Sequence, residues 1–268
     1  MFGAFIGDIC GSIYEFNNIK TKRFPLVNDD CFITDDSVMT SAVIEICNNG
    51  YLIDKKSIIS IFKKWGNRYP YAGYGTKFER WVLSEDSKPY NSCGNGSAMR
   101  ISPIGWIANS EDEVIKYSKA VTEVTHNHKE GIKGAEVTAM CVYYARIGKS
   151  KDFIKEYIKK YYDIDFDYET LKKTYAHGKE ICQVTVPQAL YCFLISTSFV
   201  DCLRTTISIG GDCDTTAAIS CAVAEAYYGI PTRVINEFKP FIPNDMLEEI
   251  RKFEERYGNK ISKRKSNK

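Results

Sequence analysis

Apolar residues recur at three- and four-residue spacing in stretch after stretch of this chain, which puts them on one face of a helix each time. Val38 to Cys47 follows Thr34-Asp35-Asp36-Ser37 and meets a stop at Gly50. Ile58, Ile59, Ile61, Phe62 and Trp65 form a second stripe. Val114, Ile115, Tyr117 and Ala120 form a third, behind Ser110-Glu111-Asp112-Glu113, which reads as a capping box. The pattern returns over 132–147, 153–161, 186–197, 200–207, 216–228 and 246–257, with Pro187 expected in a first turn, where proline is tolerated. No Asn-Gly or Asp-Gly turn joins two alternating runs, and no βαβ rhythm appears. The expected class is all-α. Residues 14–33, 66–79 and 85–105 read as long irregular segments, a length usually reserved for function.

At 268 residues, 44% of them hydrophobic, the chain can bury a large core. No linker divides it, so one domain over 1–258 is expected, followed by a basic, flexible tail at 259–268. A net charge of +2 offers no electrostatic case for nucleic acid or a membrane surface, and no apolar run reaches the ~20 residues of a membrane span. The apolar start lacks a basic leader and meets Asp8 early, so it reads as core. The ten cysteines include no C-x-x-C pair, which argues against a zinc site and fits a reducing cytoplasm.

Two acidic clusters carry the chemistry. Thr34-Asp35-Asp36-Ser37 and Gly210-Gly211-Asp212-Cys213-Asp214-Thr215 each precede an apolar helix. Read singly, each is an ordinary capped helix start with acids where the dipole favours them. Read together, they offer paired carboxylates with a threonine hydroxyl twice over, an all-oxygen set suited to Mg²⁺, Mn²⁺ or Ca²⁺. Facing each other, they can hold two ions ~3.5–4 Å apart, as two-metal hydrolytic sites do. Gly3, Gly7 and Gly11 form a smooth stripe on an N-terminal helix, with Asp8 one residue past it and Glu15 at or beyond the helix end. Gly94-Asn95-Gly96-Ser97 is a turn able to offer N–H groups to phosphate, with Arg100 either assisting or held in an interior ion pair. His126 and His128 lack a third metal ligand; a hydrogen bond from His126 to a ligand oxygen is the better reading. His177 reads as a satisfied, partly buried histidine.

These pieces in order, GAFIGDICGSIYE at 3–15, TDDSVMT at 34–40, YPYAGYG at 69–75, GNGSAMR at 94–100, THNHKEGIKGA at 125–135, CQVTVPQA at 182–189 and GGDCDTTAA at 210–218, resemble the ADP-ribosylglycohydrolases. The resemblance implies a compact orthogonal multi-helix bundle around a dinuclear metal site. It implies Thr34, Asp35, Asp36, Asp212, Asp214 and Thr215 as ligands of two Mg²⁺ (Mn²⁺ as the alternative), with Asp214 a candidate bridge. It implies Glu15 as a mobile loop acid. It also implies Asn95, Gly96, Ser97, Met99 and His126 around diphosphate and ribose, and Tyr74 and Gly75 beside the nucleoside. Asp36, Glu15, Asp35 and Asp214 are the expected catalytic carboxylates. Ser37, Cys213 and Lys129 depart from the family pattern without touching a proposed ligand. The expected activity is release of ADP-ribose from an ADP-ribosylated protein or small molecule by a cytoplasmic monomer. The alternatives are a non-catalytic ADP-ribose reader and a two-metal phosphoesterase that yields AMP.

Overall fold

The computed structural model describes residues 1–262. Fifteen α-helices follow one another among the described residues: α1 (Gly3–Ser12), α2 (Asp35–Asn49), α3 (Lys55–Arg68), α4 (Thr76–Leu83), α5 (Gly96–Met99), α6 (Ser102–Ile107), α7 (Glu111–Thr122), α8 (Lys129–Arg146), α9 (Lys151–Lys159), α10 (Tyr168–Thr174), α11 (Cys182–Ile195), α12 (Phe199–Ile209), α13 (Cys213–Tyr228), α14 (Thr232–Phe238) and α15 (Asn244–Ser262). No strand forms among these residues, and one isolated bridge joins Gly94 to Ile181. The fold is all-α, as the apolar spacing implies. No helix among the described residues is long and apolar enough to cross a membrane. The expected tail from 259 begins within the last turns of α15, and 263–268 lie outside the described residues.

The helix starts follow local chemistry. Thr34, Asp54, Ser110, Ser150, Asp167 and Ser198 each accept a backbone N–H with the side chain at an N-terminus, satisfying a donor the helix leaves open. Gly50 closes α2 at φ 73°, a left-handed cap that glycine adopts without strain. The expected capping box is only half made. Ser110 accepts the Glu113 N–H, but the Glu113 carboxylate reaches past Ser110 to the Asn109 N–H at 2.7 Å.

Two other expectations need correction. Pro187 lies inside α11, not in its first turn, because the helix starts five residues earlier. The Cys182 N–H bonds to the Cys93 carbonyl at 2.9 Å, and this tie to the distant loop before α5 sets the start. Proline has no N–H to return along the helix, so α11 carries one missing rung. The segments 66–79 and 85–105 are also less irregular than expected. They hold the end of α3, the start of α4, all of α5 and most of α6. Helices this short escape a periodicity reading. Residues 14–33 contain no helix, as expected.

α13 is the central rod, with α1, α8, α11 and α12 packed around it. Its closest neighbour is α1, which presents Gly3, Gly7 and Gly11. A Cβ at these positions would lie 2.4 Å from the Cys221 carbonyl oxygen, 2.3 Å from the Ala217 carbonyl oxygen and 2.3 Å from the Asp214 Cα. The two helices therefore touch backbone to backbone. Nine of the ten free cysteines are buried, and burial pushes the thiols of Cys10, Cys47, Cys141 and Cys192 up; Cys93 is the partly exposed one.

Candidate active site

The glycine stripe fixes the centre of the site. Because α1 lies against α13 at Gly7 and Gly11, Asp8, which follows Gly7, arrives beside Asp214. Asp8 is fully buried and organises the start of α2. It accepts the Thr34 hydroxyl at 2.7 Å, the Thr34 N–H at 3.0 Å and the Ser37 N–H at 3.0 Å, and also the Ser37 hydroxyl. The first acidic turn is thus folded around Asp8.

The second acidic turn is set by Gly210 and Gly211, both at positive φ, the region that side chains avoid. Asn18 staples it to the loop after α1, accepting the Gly211 N–H at 2.7 Å and donating to the Gly211, Tyr14 and Glu15 carbonyls. Asp212 is the N-cap residue of α13, yet its carboxylate caps nothing. It accepts the Asn95 side-chain amide instead, tying the turn to the Gly94–Gly96 loop. The two acidic turns meet where the Thr215 hydroxyl donates to Asp36 Oδ2 at 2.9 Å.

Six carboxylates gather in this way. One oxygen each from Asp8, Asp36 and Asp214 lie within 4.8 Å of one another, and so do one each from Glu15, Asp212 and Asp214. Asp214 belongs to both triplets. Among the described residues, Asp8, Asp35, Asp36, Asp212 and Asp214 form no ion pair. Burial, followed by repulsion from neighbouring acids, holds the carboxyls of Asp35, Asp36 and Asp214 well above the usual range. Burial raises Asp8 too, against the hydrogen bonds from Ser37 and Thr34. Glu15 is pushed up to about 7, first by burial and then by Asp212. Asp36 Oδ1 is buried with no hydrogen-bond partner. Acidic oxygens so placed, one of them orphaned, fit a hard cation, which would supply the positive charge the protein withholds.

Above this floor opens a cleft of about 540 Å³ lined by Glu15, Thr34, Asp35, Asp212, Asp214 and Thr215. Asn95, Gly96, Met99, His126 and Gly75 line its walls, and exposed Tyr71 and Phe16 stand at its rim. Asp36 lies just beneath. Two residues expected at the ligand lie off the cleft lining. Ser97 is buried, its hydroxyl donating to the Gly131 carbonyl at 2.8 Å, so its side chain braces the loop. Tyr74 packs on Phe78 with its hydroxyl buried, off the cleft lining. His128 caps α8 by accepting the Glu130 N–H. His177 stacks on Phe16 and bonds Glu180 at 3.1 Å and the Glu15 carbonyl at 2.6 Å, which holds the Glu15 loop.

Asp8 is the central residue that the motif reading passed over. A signal was present: it is the sole charge between Met1 and Ile13, in a helix whose ten residues are all buried. A charge in that setting needs a purpose.

Fold and cleft together define a helical protein whose cleft has an acidic floor. The chain belongs to the ADP-ribosylglycohydrolase family, whose profile matches residues 1–265. It is 26% identical to the human (Homo sapiens) ADP-ribosylhydrolase ARH3, over 85% of this chain and 84% of that one. It is also 26% identical to the ADP-ribosyl-[dinitrogen reductase] glycohydrolase of Rhodospirillum rubrum, over 74% of this chain and 70% of that one. A solved structure described as an ADP-ribosylglycohydrolase-related protein complex shares the fold, with a TM-score of 0.71 at 23% identity over 94% of this chain and 95% of that one. The family and its relatives indicate ADP-ribosylglycohydrolase activity, so the chain is a glycosidic-bond hydrolase.

Proposed function

We propose that the chain releases ADP-ribose from an ADP-ribosylated acceptor, a protein side chain or a small molecule, by cation-dependent hydrolysis at the distal ribose. The observation that carries this is the meeting of two sequence-distant acidic turns, Asp36 to Thr215 at 2.9 Å, beneath a cleft large enough for a sugar and diphosphate. The two carboxylate triplets sharing Asp214 favour a pair of ions, Mg²⁺ or Mn²⁺. Asp8, Asp36 and Asp214 would hold one and Glu15, Asp212 and Asp214 the other, with Asp35 at the cleft wall. Thr34 and Thr215 give their hydroxyl protons to Asp8 and Asp36, and keep oxygen lone pairs for a cation. Bound ions of this kind make a water nucleophilic at neutral pH and polarise sugar hydroxyls.

The remaining roles belong to side chains of the cleft. Either Asp36 or Glu15 would orient the attacking water. Asp35, facing the cleft, would stabilise positive charge developing at the anomeric carbon. Asn95, Gly96, Met99 and His126 form the wall for diphosphate and ribose; Gly75 and Tyr74 border the nucleoside end, Tyr74 by supporting Phe78. Ser97 keeps the diphosphate loop in shape.

Chromatography of products from ADP-ribosyl-arginine, ADP-ribosyl-serine and O-acetyl-ADP-ribose tests the reading. Free ADP-ribose is the expected product from at least one linkage. Chelation should lower the rate about a hundredfold or more, with recovery on adding Mg²⁺ or Mn²⁺. AMP as product would mean a phosphoesterase. Binding without release would mean a reader.

A further inference from the structure

One buried cation beside the cleft has no role in the chemistry so far. Arg100 is 1% exposed and makes no ion pair among the described residues. Its guanidinium lies 4.3 Å from the Phe62 ring centroid, a favourable cation–π placement that would suffice for a purely structural residue. Its hydrogen bonding says more. Nη2 donates to the Thr125 hydroxyl oxygen at 2.7 Å, and that oxygen lies 2.9 Å from His126 Nδ1.

We infer that Arg100 is a positioning residue: through the Thr125 hydroxyl it fixes His126 as the tautomer with its proton on Nε2, presented to an anionic oxygen of the ligand. A guanidinium only donates, so the Thr125 oxygen must accept from it. The single hydroxyl proton then has three outlets, His126 Nδ1 at 2.9 Å, the Thr122 carbonyl at 3.5 Å and the Tyr90 hydroxyl, and the imidazole nitrogen is the most basic of them. The proton goes there, and Nδ1 becomes an acceptor. The field of Arg100 favours the same arrangement, because it draws the ring's lone pair toward the cation and the N–H away from it. Burial and Arg100 both hold the His126 imidazole neutral, so it offers one donor and no charge.

Nε2 has no hydrogen-bond partner among the described residues, and His126 lines the cleft. Two glycines leave it uncovered: a Cβ at Gly94 or Gly96 would sit 3.6 or 3.5 Å from Nε2. The donor therefore faces the Gly94–Gly96 turn, the wall assigned above to diphosphate. The identity of that ligand rests on the proposed function; the tautomer does not.

Long-range ¹H–¹⁵N spectra of the full chain labelled in its three histidines read the tautomer directly. Wild type is expected to show His126 protonated on Nε2 alone. Thr125→Val should give mixed tautomers and about tenfold weaker ADP-ribose binding by calorimetry, and Thr125→Ser should restore both. A wild-type proton on Nδ1, or an unchanged Nε2–H signature in Thr125→Val, overturns the inference. Should Thr125→Val fail to fold, the wild-type spectrum alone decides. A wild type with the Nε2–H signature but no ADP-ribose binding would leave the tautomer relay standing and defeat the proposed ligand.

Discussion

Asp214→Asn is expected to abolish cation binding and turnover together while the helical fold persists. Asp214 supplies an oxygen to both carboxylate triplets, so this one substitution weakens both halves of the site. Asparagine keeps the size and one oxygen but removes the charge that a hard cation needs. Turnover should fall about a thousandfold or more. The effect on stability should depend on the cation. In the wild type, added Mg²⁺ or Mn²⁺ raises Tm, because an ion that binds only the folded chain stabilises it. In the variant that rise should vanish. Without cations the variant should melt at or above the wild-type temperature, since one of several mutually repelling buried acids has gone. Thermal melts, calorimetry and product assays on one preparation make the comparison. Near-wild-type, cation-dependent turnover would remove the basis for the two-ion reading.

Gly7→Ala should be the most damaging small substitution outside the acidic cluster. The added methyl would stand 2.3 Å from the Ala217 carbonyl oxygen and 2.4 Å from its carbon, both backbone atoms of α13. No side chain can move aside to relieve this. The helices must part, at a cost of about 3 kcal/mol, the upper end of the usual range for overpacking. Asp8 is the next residue, so parting the helices also draws it from Asp214 and loosens Thr34 and Ser37. Urea unfolding and the ADP-ribose assay should show stability and activity falling together. A Gly7→Ala protein as stable as wild type would mean that the two helices are not held backbone to backbone.

The difference between what was legible and what was not follows from this packing. Long helices such as α2, α8 and α13 were readable because their apolar faces repeat locally. The acidic turns were readable because carboxylates and hydroxyls sit side by side in the chain. Asp8 was not, although its glycine neighbours were read correctly as a close-packing stripe. Which helix receives a stripe is decided by the whole fold, and only α13 as the receiver brings Asp8 to Asp214. Ser97 and Tyr74 differ in the opposite direction: each belongs to a segment that reaches the cleft, but neighbouring backbone or aromatic rings claim its side chain. The start of α11 was misplaced because a long-range hydrogen bond from Cys182 to Cys93 sets it, which no local pattern encodes.

The uneven burial of the thiols gives this enzyme a built-in attachment point. Nine sulfur atoms are shielded by the folded chain, so a bulky maleimide dye should react first at Cys93. Cys93 directly precedes Gly94 on the cleft wall, which puts a reporter beside the cleft without engineering any residue. Mass spectrometry of briefly labelled protein should find the dye there, and ADP-ribose in the cleft should slow its attachment.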